Sequence, residues 1–378
     1  MSTGYTQSEM ALVLKAADTL YGNRPSFEYL WPARTFPGVE KFMHRGPKGL
    51  KTHTGLSITF SVIVNEQDTA RIEGYFPEEQ TNQTDHPAQA VAIHRRFHNY
   101  YQVDSMELNE AAGDQTKLMD IVSVRSAGLS VNLTELIEEK LMAQPSTTSG
   151  LNYFQGLFYW MVPVTATQAA STAAGKDGAF QGGNPFDRSH NQFSDCGGIS
   201  AATNSRWRNY CFQFDSNGSM SSRDKKMLLR AIKQTKFRKP PTFKDIMNPK
   251  WEWALYASLD RIEGIENLMT LSNENHGLDL AKYEGAVTVV GHPITHVPTW
   301  DDSTNFPVSS DATYHATSFL VGVNHNSVGF SVLKGANFSD HFTSPTAVIT
   351  RKDTYMTGGL VCRNRQTAGF VGATTATS

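Results

Sequence analysis

The chain has 378 residues, 39% apolar and 19% charged, and its 34 Lys and Arg against 36 Asp and Glu leave a formal net charge of -2. That length allows two or three domains around a sizeable core, and 29 glycines and 16 prolines indicate neither disorder nor a fibrous repeat. Reading duplex DNA normally needs a cationic excess that displaces counterions, so the near-neutral balance argues against that class.

No apolar run approaches the ~20 residues needed to cross a bilayer; the longest candidate, residues 156–164, contains Pro163. The opening MSTGYTQSEM has no basic stretch followed by an apolar core, so no secretory signal is expected, and the chain is expected to be made and used in a cytoplasm. Cys196, Cys211 and Cys362 lie far apart and in no CxxC pair. They read as buried free thiols rather than metal ligands or a disulfide framework.

Residues 1–45 read as an arm. One helical stretch, 8–21, places Met10, Val13, Leu14, Ala17 and Leu20 on one face. Pro25, Pro32, Pro37 and Pro47 then alternate with Phe27, Tyr29, Trp31, Phe36 and Phe42. Prolines at that density exclude regular helix or central strand, yet the aromatics need burial, so an extended strap on another surface is expected.

A long hairpin follows. Leu56, Ile58, Phe60 and Val62 alternate along a strand over 56–64, and 88–97 reads as its return, continuing to 108. The connection, 65–87, is polar, with Glu66, Asp68, Glu73, Glu78, Glu79 and Asp85 against Arg71 alone. Connections that long are uncommon and are usually functional. A helix is then predicted over 114–143, from Leu118, Val122, Leu129, Leu133, Leu136, Ile137 and Leu141, with Lys117, Ser123, Ser130, Asn132, Glu135 and Glu139 turned outward. It would be ~45 Å long, a beam rather than a core helix. Residues 165–198 read as a loop, 221–236 as a second helix, and 286–290, 294–297, 318–323, 347–350 and 359–361 as short strands. The class is α+β.

Chemistry is hard to find. The chain has no phosphate-binding glycine loop and no GxSxG elbow, so no catalytic residue, cofactor or metal is expected. His94 and His98 share a strand face beside Arg96 on this reading, and Pro293 between His292 and His296 excludes a helical zinc pair, although Asp301 and Asp302 lie nearby. The basic run from Arg223 to Lys239 could touch nucleic acid, but a solvated helix face carries more weight. Trp251, Trp253 and Tyr256 could form a stacking platform, the mark of a surface-binding protein.

Three local stretches, in this order of elements, carry a resemblance. They are Gly197-Gly-Ile-Ser-Ala-Ala-Thr-Asn-Ser-Arg-Trp-Arg-Asn209, Gly291-His-Pro-Ile-Thr-His-Val-Pro298 and Gly358-Gly-Leu-Val-Cys-Arg-Asn-Arg-Gln-Thr-Ala-Gly369. They resemble the GGI…WRN, G-x-P-V…P and L…NRR…G stretches of tailed-phage major capsid proteins, with Gln366 in place of the second arginine. The chain as a whole resembles the shell fold named after phage Hong Kong 97, shared by those capsids and by encapsulin compartments.

The resemblance implies a shell protein assembling with itself as hexamers and pentamers around double-stranded DNA, located in the virion after assembly in the host bacterial cytoplasm. An encapsulin-like compartment is the alternative. It implies an arm (1–45), an extended loop (46–90), a peripheral domain (91–220 and 321–378) with a spine helix at about 114–143, and an axial domain (221–320). Portal, separate scaffolding and decoration proteins would be partners, with non-specific contact to packaged DNA and none to membrane. Many relatives begin with a long scaffolding segment; this chain shows only a short helix after Met1, so an internal scaffold is not expected. Trp207 would be a packing anchor, and Trp31, Phe36, Glu66, Asp68, Arg71, Glu73, Glu78, Glu79, Trp207 and Arg208 are candidate contacts between subunits. Some relatives link a loop lysine to a neighbour's asparagine. Residues 65–87 hold no lysine, so a non-covalent shell is expected.

Overall fold

A computed structural model describes residues 36–43, 51–64, 87–104, 106–107, 115–145, 153–164, 177–185, 193–216, 219–237, 253–272, 287–290, 292–301, 314–343 and 349–375. In chain order its elements are α1 (Pro37–Met43), β1 (Lys51–His53), β2 (Ser57–Ile63), β3 (Pro87–Ile93), β4 (Arg95–Asp104), α2 (Gln115–Leu141), α3 (Leu157–Trp160), β5 (Ala179–Gly182) and β6 (Asn209–Gln213). There follow α4 (Ser222–Phe237), β7 (Trp253–Ala257), α5 (Leu259–Ser272), β8 (Thr288–Val289), β9 (His292–His296) and β10 (Tyr314–Asn324). The chain closes with β11 (Val328–Leu333), β12 (Ser339–Thr343), β13 (Ile349–Cys362), α6 (Arg365–Ala368) and β14 (Gly369–Thr375).

β13 organises a five-stranded sheet, pairing antiparallel with β4, β11 and β12, while β1 adds parallel to β11. The short strands expected at 347–350 and 359–361 are the two ends of this one 14-residue strand. Its middle, Arg351-Lys352-Asp353, reads as a loop because it is charged, but the charges are satisfied within the sheet. Asp353 lies within hydrogen-bond distance of His98 Nε2 (2.7 Å) and accepts from Arg351 Nε (2.9 Å), and Lys352 reaches Ser126 Oγ (3.3 Å) on α2.

α2 covers one face of this sheet. Phe97, Tyr101 and Val103 of β4 are buried beneath it, and Asn99 donates to the Leu129 carbonyl at 3.1 Å. Val122, Leu129, Leu133, Ile137 and Leu141 are buried as expected from their spacing. Ser123 corrects the expected outer face: it is buried beside Val122, a position where a small side chain fits against the sheet.

The second sheet has the order β5-β6-β14-β10-β7-β9-β8. Alternation along its strands divides it cleanly. Tyr210, Phe212, Leu255, Leu320 and Phe370 join Met227, Leu228, Ala231 and Ile232 of α4 and Ile265 of α5 in one apolar cluster. Cys211, Ala254, Tyr256, Phe319, Val321 and Val371 point the other way, into a core shared with α2, Trp160, Trp207, Trp300 and the five-stranded sheet. A boundary at 320/321 falls inside β10, and this sheet takes strands from both sides of 220/221. A division at those points therefore crosses hydrogen-bonded strands.

Among the described residues β2 and β3 form a two-stranded sheet of their own, from Ser57↔Ile93 to Ile63↔Pro87. The single return strand expected over 88–108 is two strands, because His94 interrupts it. Its ring lies 3.1 Å from the Gly55 carbonyl and 2.7 Å from Ser331 Oγ, and its N–H donates to the Leu56 carbonyl. His94 is therefore buried while His98 is exposed on β4, and the two do not form a pair. α1 corrects the expectation that prolines exclude helix from the arm: Pro37 occupies the first helical position, where a missing N–H costs nothing.

Two of the three stretches quoted above, 197–209 and the C-terminal one, meet in space at one side chain. Arg365 is fully buried and donates through Nε to the Trp160 carbonyl (2.8 Å), through Nη1 to the Trp207 carbonyl (2.5 Å), and through Nη2 to the Gly183 carbonyl (2.8 Å) and Asn209 Oδ1 (3.1 Å). Asn209 in turn clamps Val162, accepting its N–H and donating to its carbonyl, each at 2.9 Å. Arg365→Met should cost the unassembled subunit about 2–5 kcal/mol, since several buried acceptors lose their donor together. Arg365→Lys should recover only part of this, because an ammonium has no planar fork. Urea denaturation of the two variants measures both values.

Candidate assembly surfaces

The arm helix α1 is held on α2 by one carboxylate. Glu138 is buried and accepts from the backbone N–H groups of Gly38 (2.9 Å) and Val39 (2.7 Å), two of the donors that the first turn of a helix leaves unpaired. A Cβ at Gly38 would lie 2.7 Å from Glu138 Oε2, so a larger residue would displace the carboxylate from this position. Burial raises the Glu138 carboxyl to a pKa of about 6, against the two backbone hydrogen bonds that pull it down. Phe42 completes the contact, edge-on to His325 at 4.6 Å and stacked with Tyr256 at 6.2 Å. This part of the arm thus packs on its own chain.

The hairpin root is equally specific. Val91 donates to the Gly197 carbonyl (2.8 Å), Gly197 N–H donates to the Tyr159 hydroxyl (2.8 Å), and Ile93 N–H donates to Gln155 Oε1 (2.8 Å). Gly197 has φ +64° and its missing Cβ would meet the Trp160 ring at 2.9 Å, which explains the glycine in the GGI stretch.

Two kinds of charged surface remain outside. The face of the five-stranded sheet opposite α2 carries an open depression of about 610 Å³ lined by Arg96, His98, His341, Thr343, Arg351, Asp353 and Tyr355. Arg96 lies over the Tyr355 ring at 4.1 Å and Arg351 over Tyr100 at 5.0 Å, contacts that hold both cations flat against the sheet. On the second sheet, Lys225, Lys226, Arg230 and Lys233 of α4 are exposed, whereas Arg223 is paired with Asp177 (3.2 Å) and Asp215.

The residues singled out in the sequence are dispersed. Trp31, Glu66, Asp68, Arg71, Glu73, Glu78 and Glu79 lie outside the described residues, as do Trp251, Asp302, Arg238 and Lys239. Phe36 is half-buried and its carbonyl accepts the Glu40 N–H. Trp207 is corrected from a contact between subunits to a core residue: it is 2% exposed and donates to the Cys196 carbonyl at 2.8 Å, so little of it is left for a neighbour. Arg208 is half-buried, tied to the carbonyls of Ala201 (2.8 Å) and Ala202 (3.3 Å). Trp253 and Tyr256 are buried in β7 and form no surface platform. His296 pairs with Asp301, which also accepts from Leu259 N–H at the start of α5 (2.8 Å). Among the described residues no group of three or more His, Cys, Asp or Glu could hold a metal ion. Glu138 and Arg365 escaped the sequence reading, because a charged residue inside a polar-looking stretch gives no sign of being buried.

No protein-family model and no curated protein matches the sequence. Solved structures do match. A chain of the cyanophage A-1(L) capsid asymmetric unit is similar over 92% of this chain and 95% of its own, at 12% identity and a TM-score of 0.60. A chain of the cyanophage Pam1 capsid asymmetric unit is similar over 94% and 95%, at 12% identity and a TM-score of 0.49. The fold of the chain is therefore that of the A-1(L) capsid chain, along nearly its whole length.

The raised pKa of Glu138 gives a pH dependence whose sign is set. Between its unfolded value of 4.5 and its folded value of about 6, the native state binds more protons than the unfolded state. Stability from this group is full below the window, falls as pH rises through it, and levels off above it. Lowering the pH from 7.5 to 4.5 should therefore add up to about 2 kcal/mol from this site. Glu138→Gln should lack that increment, so the stability difference between the two proteins in urea melts should shift by about 2 kcal/mol across the range.

Proposed function

We propose that this chain is the major capsid protein of a tailed phage, a shell subunit that assembles as hexamers and pentamers around double-stranded DNA. The observation that carries this reading is the match to the cyanophage A-1(L) capsid chain across 92% of this chain and 95% of that one. The GGI…WRN and NR stretches, which suggested the same class from sequence, converge on Arg365 and so account for the conformation that the match reports.

In this reading α2 is the spine of a peripheral domain built on the five-stranded sheet, and the segment around α4, α5 and β7–β9 is the axial part that lines ring centres. The arm outside α1 and the β2–β3 hairpin reach neighbouring copies. Trp31 and Phe36 would supply apolar contact, and Glu66, Asp68, Arg71, Glu73, Glu78 and Glu79 would supply charged contact. A shell of this kind needs one subunit to occupy both ring types with nearly the same contacts. A body fixed by buried polar clamps, with its contacts carried on projecting segments, meets that need. A portal, a separate scaffolding protein and a decoration protein are the partners such a shell would take, and packaged DNA would be touched without sequence preference.

The purified chain, or particles from cells expressing it, should show closed icosahedral shells by electron microscopy. Shells from infected cells should contain DNA rather than a cargo enzyme. On a denaturing gel they should run as one band at 41.8 kDa, since residues 65–87 offer no lysine for a covalent link. Small soluble oligomers alone would refute the shell, and a ladder of linked chains would refute the non-covalent form.

A further inference from the structure

Charge is unevenly spread along this near-neutral chain. Eight of its 34 Lys and Arg fall within residues 223–239, where Asp224 is the one acid. The fold sharpens the imbalance on α4. Asp224 is buried and accepts from the N–H groups of Asp215 (3.1 Å) and Ser221 (3.0 Å), so it fixes the start of the helix and is withdrawn from its outer face. Arg223 is paired with Asp177 (3.2 Å) and Asp215. Lys225, Lys226 and Lys233 are exposed and have no carboxylate within ion-pair distance among the described residues, and exposed Arg230 reaches the Asp177 carbonyl at 3.5 Å. Lys226, Arg230 and Lys233 stand four and three residues apart on one side of the helix, spacings at which like charges repel.

The make-up of this face selects the kind of partner. Its exposed residues from Ser222 to Thr235 are Ser222, Lys225, Lys226, Arg230, Lys233 and Gln234, all of them polar. A protein partner would need an apolar or aromatic anchor at the centre of the contact, where lysine is depleted. A single strand of nucleic acid would need an exposed ring for a base to stack on. Neither is present among the described side chains of α4. Flexible cations without an anchor suit the outside of a duplex, because phosphates accept point charges and carry no sequence information. The row from Lys226 to Lys233 spans seven residues, about 10 Å of helix, a length over which a duplex carries about six phosphate charges. A net charge of -2 for the whole chain argues against a reader of sequence, yet leaves room for a weak, local contact of this kind.

We propose that the exposed face of α4 binds the phosphate backbone of duplex DNA, without sequence preference, through Lys225, Lys226, Arg230 and Lys233. The inference rests on the shell reading, in which this face is turned towards the packaged genome. One such contact is weak, and its repetition over the copies in a shell makes it effective.

The test uses the full-length chain as wild type, as K226Q/K233Q, and as K334Q/R363Q, which removes the same charge from two exposed positions elsewhere. Glutamine is nearly as good a helix former as lysine, and urea melts check that each chain is folded. Binding to two duplexes of unrelated sequence is followed by fluorescence anisotropy over a salt series that starts at low ionic strength, and assembly by electron microscopy. Wild type should bind both duplexes equally. K226Q/K233Q should bind more weakly and lower the slope of log K against log salt by about 1.8, about 0.9 for each cation lost. K334Q/R363Q should keep the wild-type slope, and both variants should still assemble. Wild type that binds neither duplex at low salt overturns the proposal, and so do equal slopes in all three chains. An equal loss in both variants also overturns it, since net charge rather than α4 would then be responsible. So does K226Q/K233Q that binds duplex normally but no longer assembles, which would make a neighbouring copy the partner of α4. Wild type that binds duplex with the expected slope but builds no shells overturns the shell reading instead and leaves the α4 contact standing.

Discussion

A single buried guanidinium holds four stretches of this chain in register. Arg365 meets backbone carbonyls at Trp160, Trp207 and Gly183 and a side-chain oxygen at Asn209. A buried cation is tolerable only when its donors are met, and carbonyl dipoles arranged in a fork meet them without a counterion. Because Trp207 also donates to the Cys196 carbonyl, and Gly197 next to it receives the Val91 N–H of the hairpin, the attachment of the projecting hairpin depends on the same cluster. The three cysteines lie within this core. Burial pushes the thiol of Cys196 up to about 11 and those of Cys211 and Cys362 up to about 12, outweighing the pull of the nearby Arg365 charge. They stay protonated and are packing residues rather than reactive groups.

A common device recurs across the molecule: a buried charge makes hydrogen bonds to backbone groups. Glu138 accepts from the open N–H groups of α1, Asp224 from those near the start of α4, and Arg261 donates to carbonyls of the turn before α4. For Arg261 the burial is strong enough to bring its pKa down to about 10. Each clamp fixes a helix end in place. Each also takes one charge out of the surface.

Helices and strands with a regular apolar repeat were legible in the sequence. The beam helix over 114–143 is α2, Gln115–Leu141, and the helix over 221–236 is α4, Ser222–Phe237, because their apolar spacing reports directly on the face that a sheet will cover. Strands broken by charge were not legible. β13 reads as two pieces around Arg351-Lys352-Asp353, and those charges become compatible with a strand only when β4, β12 and α2 supply their partners.

The order of elements and the three local stretches were enough to suggest the class of protein, since they depend on local pattern and composition. What they do at close range was decided by contacts between residues far apart in the chain. Trp207 read both as a packing anchor and as a contact between subunits, and it is core, because the fold closes Cys196 and Arg365 over it. His94 and His98 looked like a pair and are separated, because Ser331 and Gly55 capture the first. Glu138 was not singled out in the sequence, and it anchors α1. The sequence by itself determined which segments are amphipathic and where charge accumulates. Whether a given charge faces solvent or a backbone N–H a hundred residues away was decided only by the tertiary structure, because burial and pairing depend on long-range contacts that local periodicity does not encode.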